Sequence, residues 1–103
     1  MMINPQRGDV GVKIDGEERR MRLTLGALAA LEGRLGADGL VGLAERFETG
    51  GVSGADLIAL LTAGLNGGGA HVDEAEVAEM NFDGGAMAAA EAAGALLSAA
   101  FRG

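Results

Sequence analysis

The sequence predicts an α+β fold that is mainly α: an N-terminal β-hairpin followed by a compact bundle of about five short helices. Three observations carry that reading. Val10, Val12 and Ile14 alternate with Gly11 and Lys13 and run into Asp15-Gly16, the period of a half-buried strand followed by a tight-turn pair. From Thr24 onward, apolar residues recur at three- and four-residue spacing, and glycines fall where those runs stop. At 103 residues, with 49% hydrophobic and 22% charged residues, the chain has the length and composition of one globular domain and not of a disordered segment. That single domain divides into a tail over 1–8, a hairpin over 9–23 and a helical body over 24–103.

The hairpin has two possible registers. A two-residue loop at Asp15-Gly16 sets Lys13 opposite Glu18 and Asp9 opposite Arg22, which pairs opposite charges. A four-residue loop pairs Val12 with Met21 and Val10 with Leu23 instead. Both send Val10, Val12, Ile14, Met21 and Leu23 to one face and Lys13, Arg20 and Arg22 to the other. An isolated two-stranded hairpin is marginal in water, so this one must lie on the helices or on another subunit.

Thr24 is the expected N-cap of a first helix, with Leu25, Leu28, Leu31 and Leu35 as its stripe and Gly36 as its stop. A second helix spans Asp38 to Glu48 and turns Leu40, Leu43, Ala44 and Phe47 inward. Ser53 caps a third, with Asp56 in its first turn where a carboxylate suits the macrodipole. Leu57, Ile58, Leu60, Leu61 and Leu65 leave that helix almost no polar face, which makes it the central element. After a loop at Asn66-Gly67-Gly68-Gly69, Asp73 and Glu76 form a capping-box pair, flanked by Val72 and Val77 at staple spacing, for a short helix ending near Met80. Asp83 then opens the last helix. Its Met87, Ala90, Gly94, Leu97 and Phe101 recur as a seam for close helix packing.

Composition excludes several functions. There is no cysteine, so disulfides and thiolate metal sites are ruled out. Met1, Met2 and Ile3 give way to Asn4-Pro5-Gln6-Arg7, which is no signal peptide, and the longest apolar run (Leu57 to Leu65) falls short of the roughly 20 residues of a membrane span. A bacterial cytoplasmic protein that does not bind membranes is expected. The net charge of −7 is uneven: residues 1–22 sum to +1 and the rest to −8. Most of such a surface repels phosphate backbones, which argues against a nucleic-acid partner. Only three aromatic residues are present, all Phe, so stacking on bases or sugars is disfavoured as well.

The chemical inventory is thin. His71, the single histidine, lies in a glycine-rich loop without an obvious partner for acid–base work. Gly67-Gly68-Gly69 follows a helix and no lysine comes after it, so it is no phosphate loop. Asp73, Glu74, Glu76 and Glu79 lack the spacing of a calcium loop and read as a helix start and a solvated face. Ser53 at a helix start raises a remote alternative, an acidic carrier-type protein bearing a phosphopantetheine arm. Its neighbours Val52 and Gly54 do not match the Asp-Ser-Leu pattern of carriers. No catalytic, cofactor or metal residues are expected, and the chain is not read as an enzyme. Arg19, Arg20 and Arg22 are either a solvated strand face or a docking edge for an acidic partner or subunit.

Particular residues go further than pattern. Arg7-Gly8-Asp9-Val10, Asp15-Gly16-Glu17 and the run from Met21 through Leu25-Gly26-Ala27-Leu28 to Glu32 resemble the small tail-gene product of gene transfer agents, phage-like particles of alphaproteobacteria. Arg46-Phe47-Glu48 and Ala63 to Gly69 are similar to that family too, so the resemblance covers about residues 7–69. Beyond His71 it is weaker, apart from a final Leu97, Ala100, Phe101 pattern.

That family is grouped with phage tail-assembly chaperones, and some descriptions make it a tail tube protein. The resemblance implies a chaperone that binds the tail tape-measure protein and promotes assembly of the tail tube protein around it; homo-oligomers are a further possibility. The alternative is a minor structural component kept in the finished tail. One hairpin is little sheet for a tube subunit, since tail tubes are built from sheets closed into rings. Candidate partner-binding residues are Lys13, Arg20 and Arg22 on the hairpin, and Leu40, Phe47, Met80 and Phe82 on the short outer helices.

Overall fold

The computed structural model describes Ile3 and residues 8–102; apart from Ile3 and Gly8, the expected tail over 1–8 lies outside them. Strand β1 (Val10–Ile14) pairs antiparallel with β2 (Glu17–Met21) through the two-residue turn. Asp15 at φ 53° and Gly16 at φ 79° both take left-handed backbone, which matches the twist of a tight hairpin. The register places Lys13 opposite Glu18 and Val10 opposite Met21, so the two-residue loop is the one used. Val12, Ile14 and Met21 are buried, as the common facial assignment of both registers required.

The hairpin is held along both edges. On the β1 side, residues 81–83 run beside the strand: Phe82 forms a bridge with Ile14, the Asp15 amide donates to the Asn81 carbonyl at 3.0 Å, and the Asp83 amide donates to the Lys13 carbonyl at 3.0 Å. Asp83 therefore does not open the last helix. Its carboxylate accepts from the Gly16 amide at 3.2 Å, and satisfying the turn holds it in the bridge. On the β2 side, the Arg22 amide donates to the Gly64 carbonyl at 2.9 Å. A Cβ built on Gly67 would overlap the Arg22 carbonyl oxygen, and one on Gly68 the Arg20 carbonyl oxygen. The glycine run is thus not a slack connector. It lets the end of a helix press directly onto a strand.

That helix is α3 (Gly54–Gly67), the most buried of the five, with Ala59, Leu60, Leu61, Ala63, Gly64 and Leu65 inside. Ser53 and Asp56 form a reciprocal capping box at its start. At its other end the Asn66 side chain donates to the Val72 carbonyl at 2.9 Å and accepts from the Val72 amide at 2.8 Å, closing the turn that carries the exposed His71. Asp73 and Glu76 then make a second capping box for α4 (Glu74–Ala78). Before α3 come α1 (Leu25–Leu35), a 3-10 turn over Gly36–Asp38 and α2 (Gly39–Thr49). Thr24 caps α1 by accepting from the Ala27 amide at 3.1 Å. Within α1 the core-facing residues are Ala27, Leu31 and Leu35, whereas Leu25 is 86% exposed. Leu25 immediately follows the cap, and a leucine there counts toward the stripe by spacing but lies on the outer side of the first turn.

The last helix, α5 (Gly85–Arg102), packs differently from its sequence seam. Ala89, Ala93, Leu96 and Leu97 are buried, while Met87 is 75% and Phe101 58% exposed. Alanine fills half of the positions; Ala89 and Ala93 let the helix come close to the core and Leu96 and Leu97 pack into it, while Met87 and Phe101 are turned away. Leu96 ends against α3, where a Cβ on Gly64 would meet it. The largest fully buried side chains are Met21, Leu31, Leu43, Leu60, Leu65, Leu96 and Val77, so all three phenylalanines lie outside the innermost core.

Candidate functional site

The hairpin cations do not form a free docking edge. Arg20 sends Nη2 to the Gly68 carbonyl at 3.1 Å, and its Nε is buried without a hydrogen-bond partner among the described residues. Arg22 Nε donates to Asp9 Oδ1 at 2.6 Å, and Nη2 stands 2.6 Å from the same oxygen, on a carboxylate that is 1% exposed. Both side chains fasten the strand to its surroundings. Lys13 is exposed, but Asp15, Glu17 and Glu18 are exposed beside it. The cationic outer face is therefore largely consumed within the fold.

The four apolar candidates separate. Leu40, Met80 and Phe82 are half-buried and packed on the core, Phe82 being fixed by its bridge to Ile14. Phe47 is half-buried as well, but it opens onto an apolar groove of about 410 Å³ between α2 and α5, lined by Ala44, Phe47, Glu48, Gly94, Leu97, Ser98 and Phe101. The Phe47 ring edge faces Gly94, where a Cβ would touch it at 3.8 Å. Three members of the sequence seam (Gly94, Leu97 and Phe101) thus line a cleft and do not form a closed helix pair. The stripe expected as a seam of close helix packing is present, but this end of it lines an open groove. The signal for a groove was present in the spacing, but nothing in the sequence said that α2 would cover so little of it.

The groove's α2 wall is set by an ion pair. Arg46, next to Phe47, donates from Nε to Asp56 Oδ2 at 2.8 Å and from Nη2 to Oδ1 at 3.1 Å, tying the last turns of α2 to the first turn of α3. Asp38 adds a looser contact to Nη1 at 3.7 Å. The Arg46 hydrogen bonds hold the Asp56 carboxyl below its ordinary range, against the opposing effect of burial, and the Ser53 amide and hydroxyl lower it further. Arg46 is raised in turn, chiefly by the same hydrogen bonds.

A carboxyl with a depressed folded pKa stabilises the fold fully above its unfolded value of about 3.9, and that stabilisation is lost as pH falls through the lower folded value. Thermal melts between about pH 6 and pH 2 should therefore show a loss of stability below about pH 4 that is shallower in Asp56→Asn. An unchanged acid limb in that variant would remove Asp56 as its source.

Among the described residues no helix is long and apolar enough to cross a membrane. No curated protein and no solved structure matches the chain. A family described as "Phage tail tube protein, GTA-gp10" does match, over residues 7–103, and so extends through α4 and α5, where the sequence resemblance was weakest. By this match over nearly its whole length, the chain belongs to the GTA-gp10 phage tail tube protein family.

Proposed function

We propose that the protein is a structural component of the tail of a phage-like particle of the gene transfer agent type, assembled with other tail proteins in the bacterial cytoplasm and retained in the particle. The observation that carries this reading is the family match across residues 7–103. It takes precedence over the objection that one hairpin is little sheet for a tube subunit, because the match covers the helical body as well as the hairpin. In this role the chain acts by binding, without catalysis. Its two-edged hairpin and close-packed α3 supply a rigid frame, and the open side of α2 and α5 supplies a surface for a neighbour.

A second reading, the assembly chaperone that holds the tape-measure protein, is favoured by one observation. The groove has the shape and apolar lining for an amphipathic helix, which is the form a long helical protein would present. Quantitative mass spectrometry of purified particles separates the two. A structural component is expected at a fixed multiple of the other tail proteins. Absence from finished particles, with the protein abundant in the producing cells, would replace it by the chaperone.

A further inference from the structure

We infer that the α2–α5 groove is a receptor for a basic amphipathic helix of another protein, and not for a second copy of this chain. The inference deepens the tail-protein reading by stating the chemistry of the neighbour, and it holds whether or not that neighbour stays in the particle.

The apolar part of the argument is the stripe on α5. Met87, Ala90, Gly94, Leu97 and Phe101 repeat as a helix-packing seam, yet Met87 is 75% and Phe101 58% exposed. On the facing wall, Val41 lies one turn before Ala44 and is 68% exposed, so the apolar strip of α2 also continues beyond what the fold covers. The part of the stripe that lines the groove, Gly94 to Phe101, runs about 10 Å at 1.5 Å per residue, roughly two turns of a docked helix, and exposed Met87 continues it beyond the groove. The Phe47 ring edge lies over Gly94, and Phe47 and Phe101 are the large apolar side chains that a docked helix would meet.

The charge part fixes the occupant. Among the described lining residues, Glu48 is the charged side chain. Glu45 on α2 and Glu91 on α5 are exposed, each within one turn of a lining residue. Arg46, the cation nearest Phe47 in sequence, is turned away to Asp56 and Asp38. A second copy would bring the same acidic wall, on a chain of net charge −7. Like charges so placed disfavour self-pairing, whereas a helix with lysine or arginine flanking an apolar stripe answers both features of the groove.

The test uses the full chain and three labelled peptides of about 18 residues: a leucine–lysine helix with one apolar stripe, its leucine–glutamate counterpart, and a scramble of the first that keeps its charge but has no stripe. Fluorescence anisotropy should show saturable one-to-one binding of the leucine–lysine helix, at least about tenfold tighter than either control. Phe101→Ser and Glu48→Lys are exposed or rim changes, to be checked for an unaltered melting curve. Each should weaken that binding about tenfold, and Glu48→Lys should narrow the preference over the glutamate peptide. Equal binding of the scramble, or binding indifferent to both variants, would overturn the inference. So would sedimentation showing a dimer of the chain that Phe101→Ser dissolves, since the groove would then be a self-association face. None of these outcomes depends on whether the protein is found in purified particles.

Discussion

Replacing Gly68 by alanine is expected to destabilise the protein by about 3 kcal/mol, the upper end of what inserting one methyl into a closed contact costs. The new Cβ has no room: it would overlap the Arg20 carbonyl oxygen, with the carbonyl carbon at 2.8 Å and Met21 Cα at 3.2 Å. All three are backbone atoms of β2, so no rotamer change relieves the clash. Either the strand moves off α3 or the helix end unwinds, and both break the Arg20 contact to the Gly68 carbonyl. For a domain of this size such a loss lowers the melting temperature by roughly 12–24 °C. Gly33→Ala is the matched control. Gly33 lies inside α1 with nothing within 4 Å of the built Cβ, so alanine there should raise stability by up to about 1 kcal/mol. Circular dichroism melts of the pair decide the matter. A Gly68→Ala protein melting within a degree or two of the parent would mean that direct helix-on-strand contact is not what seats the hairpin.

Arg22→Met should cost about 1.5–3 kcal/mol, because it removes a charge-assisted hydrogen bond from a buried carboxylate. Asp9 is 1% exposed at its side chain and Arg22 21%, and one Asp9 oxygen accepts from Nε at 2.6 Å and stands 2.6 Å from Nη2. The comparison is Arg34→Met. Arg34 pairs with Glu74 at 2.9 Å, but the two side chains are 49% and 38% exposed, and that loss should be below about 1 kcal/mol. Urea titrations of both variants read the difference directly. Similar midpoints for Arg22→Met and Arg34→Met would show that the depth of Asp9 counts for nothing.

These two sites also mark where the sequence was legible and where it was not. Local chemistry was readable: Asp15-Gly16 gave the turn, Thr24, Ser53 and Asp73 gave the caps, and Leu43, Leu60 and Leu65 gave the core. In each case the cause lies within a few residues of the effect. Failures came where the cause is distant in sequence. Arg20 alternates with apolar residues and so reads as an outer face, but Gly68 draws it in, whereas the pairing of Arg22 with Asp9 was already implied by the two-residue register. Asp83 has the look of a helix opener and is instead recruited by a turn 67 residues away. Gly67 and Gly68 read as loop because a helix interior rarely carries them, and only the nearness of β2 explains their use. On α5, alanine at so many positions leaves the periodic signal to the few large residues, of which Met87 and Phe101 mark the uncovered side while Leu96 and Leu97 are buried. The groove was therefore visible as a stripe and misread as a contact.

The bridge between Ile14 and Phe82 orders the events of folding. Hairpin formation joins residues only a few positions apart, and the helices likewise form from near neighbours. The bridge closes a loop of more than sixty residues, and the closure entropy of such a loop is offset only once the intervening helices have condensed. It is a latch engaged after the body exists, and its backbone bonds lie near the exposed tip of the hairpin. The hairpin therefore forms in two steps. The turn brings Val10 to Met21 together locally, and the stable seating of the hairpin waits for the helices and for residues 81–83, the last link before α5.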